Sequence, residues 1–312
     1  MATTTAPADL IADPEAAVRH TGLWRDTLGN ILRQRNARMG LLILGLLVFA
    51  AVFADPLSAY DPDKVLFGQG VKRLSPPCVH VLGCAASSQE HLFGVDANGR
   101  DEFSRVLHGA QISLRVGFLT VGFAIVIGAL LGLVAGYAGG SLDSVIMRVM
   151  DVLLVFPALL LAIAIVSALG PGLINAQLAI GIVAIPVYAR IMRASVLSVR
   201  NSDYVTAARA LGESPAGLVF RRILPNSLTP IIVAGTLGIA GAVLDVAALS
   251  FLGLGAQPPT SEWGSMVGQD RGYLFTAPYL VFFPGVALAL TVFGFNLLGD
   301  GLRDALDPRL NR

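Results

Sequence analysis

Two stretches of this 312-residue chain bring together residue types that can do chemistry. Cys78, His80, Cys84 and His91 fall within one short polar segment. Such a set can close a small disulfide, hold a metal ion, or carry two free thiols. If the segment faces an oxidising compartment, a Cys78–Cys84 bond is the favoured reading; so short a loop contributes roughly 2 kcal/mol. The second stretch, Asp203 to Gly212 with Leu224 and Pro225 further on, is chemically bland but shaped for contact. Asp245 is a lone carboxylate late in an apolar run, where two readings stand: it faces a pathway or partner subunit, or it sits at the water boundary or bonds within the bundle. Arg148 and Asp151 are three apart and can pair along a helix face. His20 and His108 have no constellation around them in the sequence.

The elements that must position these residues are apolar. The chain is 54% hydrophobic and 14% charged, against about 25% charged in a soluble domain. Mean hydropathy is +0.70 and net charge +1. This composition excludes a soluble enzyme, a disordered chain and a nucleic-acid binder, and two cysteines cannot form a disulfide scaffold. The remaining class is an integral membrane protein, with the lipid bilayer as its first partner.

A helix needs about 20 apolar residues to cross the hydrocarbon core. Six runs qualify: Met39–Leu57, Val116–Tyr137, Val152–Leu169, Leu173–Ala189, Leu228–Leu249 and Ala277–Leu298. The third and fourth are separated only by Gly170-Pro171-Gly172, which implies a tight helical hairpin. No signal-peptide cleavage pattern precedes the first run, so it reads as a retained anchor. Most of the 22 Lys and Arg residues lie before the first run, between the fourth and fifth, and after the sixth. The positive-inside rule then puts both termini in the cytoplasm. The chain divides into an inner N-terminal segment (1–38), the first helix (39–57), an outer loop region (58–115), a five-helix core (116–298) with an inner loop at 190–226, and an inner tail (299–312).

The inner loop carries the most information. Asn201, Ser202 and Asp203 supply a helix start, and Tyr204, Ala207, Ala208 and Leu211 follow at helical spacing on one face. Gly212 suits a helix C-terminus, Ser214-Pro215 begins a second helix, and Pro225 ends it. Two short helices hinged at a glycine can serve as a knob for a soluble partner, or can simply connect two spans.

Asp203-Tyr204-Val205-Thr206-Ala207-Ala208-Arg209-Ala210-Leu211-Gly212, followed by Ile223-Leu224-Pro225-Asn226, resembles the coupling loop of ABC-importer permeases. Ala207, Ala208, Gly212, Leu224 and Pro225 match that pattern; Thr206 and Arg222 depart from it. Leu92-Phe93-Gly94-Val95-Asp96, Gly99-Arg100-Asp101 and Ser104-Arg105 resemble the outer-loop motif of the peptide and nickel permeases. Phe156-Pro157, Ser250 to Gly255, Trp263-Gly264 and Asn296 to Arg309 extend the likeness, with Ile185 where the family has Trp. Residues 22 to 310 resemble the C-type permease subunit of a dipeptide or oligopeptide ABC importer.

The resemblance implies an all-α, six-helix permease that forms half of a translocation pathway and is not itself an enzyme. It implies a second permease subunit, two ATP-binding ATPase subunits that hold ATP and Mg, and an outer substrate-binding protein. Tyr204, Ala207, Ala208, Leu211, Gly212, Leu224 and Pro225 would couple this chain to the ATPases. No GxxxxGK[ST] phosphate loop occurs, so no cofactor is expected in this chain. Other solutes, nickel or glutathione among them, remain open. An ion-gradient transporter would call for carboxylates at span centres, and an intramembrane enzyme for a catalytic pair at matched depth; neither is present in the runs.

Overall fold

The computed structural model describes residues 32, 34–67, 71–84 and 88–306. Most of the N-terminal segment, His20 included, and residues 307–312 of the tail lie outside them. The regular elements among the described residues are helices, with two isolated β-bridges and no strand. The long helices are α1 (Arg35–Val52), α3 (Glu102–Ala138), α6 (Leu173–Arg200), α10 (Thr229–Phe251) and α12 (Tyr279–Leu306). Each is long and apolar enough to cross a membrane. A short α2 (Ala54–Leu57) follows α1, and α11 (Trp263–Asp270) sits between α10 and α12.

The third expected span is not straight. It is a pair, α4 (Gly140–Val155) and α5 (Ala158–Leu169), bent by 92°. The break falls at Phe156-Pro157, where proline lacks an N–H and clashes with the preceding turn. At 1.5 Å per residue, the 12 residues of α5 reach about 18 Å, short of a full crossing. Two other boundaries also shift. α6 continues to Arg200, so the inner loop's first eleven positions are helix. α3 begins at Glu102, so the outer loop ends well before Arg115.

α3 and α6 form the central seam and run in parallel. A Cβ on Gly128 would meet the Ile185 carbonyl oxygen at 2.7 Å, and one on Gly136 would meet Val196 Cβ at 2.9 Å. Gly132, between them, lies as close to Ala189. Glycine every fourth residue thus opens one face of α3 to direct backbone contact, the means by which helices associate in lipid. The same register places Ala138 beside Arg200, whose guanidinium donates to the carbonyls of Gly136 (2.7 Å) and Tyr137 (3.1 Å) and closes the C-terminal end of α3.

Gly301 of α12 packs on Ala37 of α1, so the start of α1 and the end of α12 share one end of the bundle. That end also carries the 201–228 segment. The 58–101 segment occupies the opposite end, at the start of α3.

Candidate functional site

The segment between α6 and α10 folds as an elbow. α7 (Asp203–Ala210) starts at Ser202, whose hydroxyl donates back to the Val199 carbonyl (2.7 Å) rather than capping α7. At the corner, Gly212 adopts φ +83°, a left-handed conformation that a β-carbon opposes. Its N–H donates to Arg209 O (3.0 Å), and Glu213 N–H to Ala208 O (3.1 Å), closing the helix end. Ser214 then caps α8 (Pro215–Gly217) by accepting from Gly217 N–H (3.2 Å). A π-helical turn, Leu218–Ile223, and α9 (Leu224–Ser227) lead into α10. Pro225 therefore lies inside the first turn of a helix, where its missing N–H is harmless, and does not end one.

The faces of the elbow differ from the expected set in one residue. Val205 and Ala208 are buried together with Leu218 and Ile223, which anchors the elbow to the bundle. Tyr204, Ala207 and Leu211 face outward, and Leu211 is 88% exposed. Ala208 thus belongs to the inner face, one helical step from its neighbour. Phe220, which the sequence pattern did not single out, is 62% exposed beside them. An Arg222–Glu213 ion pair (3.1 Å) spans the corner and gives Arg222 its role.

Paired charges lock α4 to α6 near the same end. Arg193 grips Asp143 with two hydrogen bonds of 2.5 and 2.6 Å, and Arg190 meets Asp151 at 2.5 Å. Asp151 pairs across helices instead of with Arg148 on its own helix. The two-pronged guanidinium contact fixes orientation as well as distance.

At the opposite end, Cys78 and Cys84 are joined in a disulfide, which decides against a metal among Cys78, His80, Cys84 and His91. Backbone pairing of Cys78 with His91 continues the brace. His91 is buried, and its Nδ1–H donates to Asp101 Oδ1 (2.8 Å). Asp101 in turn caps α3, accepting from Ser104 N–H and Oγ–H at 2.8 Å each. Asp96 organises the preceding turn. Its Oδ1 accepts from the N–H groups of Asn98 and Arg100, and its Oδ2 from Arg100 Nε (2.7 Å). His108 does have partners: it bridges the Ser104 carbonyl (2.8 Å) and Asp55 at the end of α1–α2 (3.0 Å).

Sequence reasoning missed the buried acids at this end. Glu262 caps α11, accepting from Gly264 N–H (3.0 Å) and Ser265 N–H (2.8 Å). Burial raises its carboxyl overall, against those hydrogen bonds. Asp270 closes α11 and is pushed up to about 6 by burial and by the nearby Asp96, with Arg105 and Arg100 opposing. Trp263 Nε1–H donates to the Val106 carbonyl (3.0 Å), tying α11 to α3. The run Asp96 to Arg105 and the pair Trp263-Gly264 hold the signal, but no local period shows that they meet. Asp245 lies on an exposed flank of α10 and makes no hydrogen bond or ion pair among the described residues.

The architecture and its two ends match a known group. Residues 128–312 match the profile described as binding-protein-dependent transport system inner membrane component. The chain belongs to this family. Residues 22–77 match the N-terminal membrane domain of oligopeptide transport permease C. A dipeptide transport system permease protein of Alkalihalophilus pseudofirmus is 44% identical over 95% of this chain and 93% of its own. A di/tripeptide transport system permease protein of Pseudomonas aeruginosa is 47% identical over 88% and 89%. A glutathione transport system permease protein of Pectobacterium atrosepticum is 42% identical over 92% and 91%. In solved structures, a chain of the inward-facing MetNI methionine ABC transporter shares the fold: TM-score 0.54, 21% identity, 65% of this chain and 97% of that one. The family places this inner membrane component in a multi-pass setting that agrees with its apolar helices.

Proposed function

We propose that this chain is the C-type permease subunit of an ABC importer for short peptides and that it forms half of the pathway. The observation that carries this reading is end-to-end likeness to di- and tripeptide permeases, at 44% and 47% identity. A second permease, two ATPase subunits that bind ATP and Mg, and an outer binding protein complete the assembly. Both termini and the elbow lie in the cytoplasm, and the 58–101 segment lies outside, as the basic residues around the elbow favour.

Mechanistically, the ATPases grip Tyr204, Ala207, Leu211 and Phe220, the outward residues of the elbow. Closure of the ATPases on ATP displaces a rigid corner hinged at Gly212. Val205, Ala208, Leu218 and Ile223 carry that displacement into α6 and α10, and Leu224 and Pro225 form the joint to α10. Arg193–Asp143 and Arg190–Asp151 make α4 move with α6. Coupling of this kind needs two arrangements of similar free energy that the ATPases bind differently. Asp245, with no hydrogen bond or ion pair among the described residues, is the acid available to a substrate ammonium group along α10. The glutathione permease relative favours a second reading, in which the cargo is that thiol tripeptide.

The test is purification in mild detergent followed by uptake in vesicles. Co-purification of two ATPases and a sister permease, with ATP-driven accumulation of labelled dipeptide, is the expected result. Accumulation of glutathione but not dipeptide would select the second reading. Uphill uptake by the isolated chain without ATPases would overturn both.

A further inference from the structure

Beyond the pathway itself, the outer end holds a cavity of about 590 Å³ between the 58–101 segment and the loop joining α10 to α11. Its walls are of two kinds. Asp63, Arg73 and Arg100 bring charge, while Phe67 and Pro258-Pro259 bring apolar surface. The volume lies within the range of about 300–1,000 Å³ typical of small-molecule sites.

The charged groups are held from behind: Arg73 and Asp63 are exposed, and Arg100 lies almost buried in the cavity wall. Arg73 donates Nε–H to the Ala97 carbonyl (2.8 Å) and an Nη2–H to Tyr273 Oη (3.4 Å), with no acceptor for Nη1 among the described residues. Arg100 is buried, and Asp96 takes its Nε–H; its terminal nitrogens have no acceptor among the described residues. Asp63 accepts no hydrogen bond there and is exposed. The apolar wall is equally fixed. Gly99 stands at φ +81°, and a Cβ there would meet the Phe67 ring at 2.6 Å. Leu66 N–H donates to the Gly99 carbonyl (2.8 Å), which pins the strip carrying Phe67 against the Asp96 turn.

Two guanidinium groups with free donors suit a carboxylate, since each can give parallel N–H bonds to its oxygens. A simple anion would gain nothing from the apolar wall and would be repelled by Asp63. A small cation would be repelled by the arginines. A ligand with a carboxylate, an ammonium group and an apolar middle satisfies all three features. We propose that this cavity is an entry subsite for a short peptide with free termini: Arg73 and Arg100 take the carboxylate, Asp63 takes the ammonium group, and Phe67 with Pro258-Pro259 receives the side chains. This rests on the peptide reading above and adds a place on the permease where the cargo is held before it enters the bundle.

The test uses the assembled importer in membranes, without the outer binding protein, and a dipeptide bearing a photoreactive side chain. Labelling should fall on the segments around Phe67 and Pro258. Arg73→Gln, Asp63→Asn, or capping of either peptide terminus should each reduce it roughly tenfold, the order expected for loss of one charge-assisted contact. Gly99→Ala, whose Cβ would meet the Phe67 ring and force it to shift, should reduce it as well. Equal labelling of the capped peptide, or of Arg73→Gln and Asp63→Asn, would overturn the subsite. So would a fall in binding-protein docking with Arg73→Gln in the absence of peptide, since the cavity would then be a protein contact. Failure of the wild-type importer to take up any peptide would instead overturn the functional reading, and the two failures are separable.

Discussion

The two ends of the bundle are built on opposite principles. The elbow presents Tyr204, Ala207, Leu211 and Phe220 outward among exposed arginines and is held by a few buried aliphatic residues and one ion pair across its corner. The outer end is held by a disulfide, a capping aspartate, an aspartate-organised turn and buried acids. A surface that must be gripped and displaced needs exposed contact area on a compact lever. A surface that must keep its shape needs internal bonds. Under the proposed coupling, motion enters this molecule at the elbow and is resisted at the far end.

The largest effects should come from breaking the lever. Leu211→Asp puts an unpaired charge on the most exposed large apolar residue of the elbow. It should reduce ATP-driven uptake roughly thirtyfold or more while leaving membrane insertion intact. Gly212→Pro should do the same, because proline cannot adopt φ +83°. Normal uptake in both variants would remove the distinction between the ends.

Next is the brace. Asp101→Ala removes the cap of α3 and the partner of buried His91 together, and should lower unfolding stability by about 3 kcal/mol in detergent. Transport per folded molecule should be affected far less than by Leu211→Asp. A result in the reverse order would erase the contrast.

A pH experiment sharpens it further. Asp270 titrates near 6 when folded, above the usual carboxylate value of 3.8. Its ionisation therefore opposes folding, so this group's contribution to stability is full below about pH 4 and is lost as pH rises through 6. The loss is of order 3 kcal/mol at most for this group. Asp270→Asn should flatten that slope in thermal unfolding; an unchanged slope would assign the acid dependence elsewhere. The smallest effect is expected from Cys78→Ser, which should cost about 2 kcal/mol locally and show as faster proteolysis of the 58–101 segment. Equal proteolysis of variant and wild type would mean the backbone pairing alone suffices.

Much of this was legible in the residues. The apolar runs located the helices, because twenty apolar positions in lipid have no other stable form. Gly212, Ser214 and Pro215 announced the corner, because their backbone preferences are local. The Cys78–Cys84 bond was the favoured reading for a short loop in an oxidising compartment, with a metal site and free thiols as alternatives. Local order also settled that the elbow has a buried and an exposed face.

What each face holds was a tertiary matter. Ala207 and Ala208 are equally small, and only packing against Leu218 and Ile223 turned Ala208 inward. Phe156-Pro157 marked a break, but its 92° angle depends on what α4 and α5 pack against. Asp151 chose Arg190, 39 positions away, over Arg148 on its own helix, and Trp263 found Val106 across 157 positions. Periodicity reaches only one or two turns along a chain. Partners that far apart are selected by which surfaces can be buried together, and that is decided when the helices assemble.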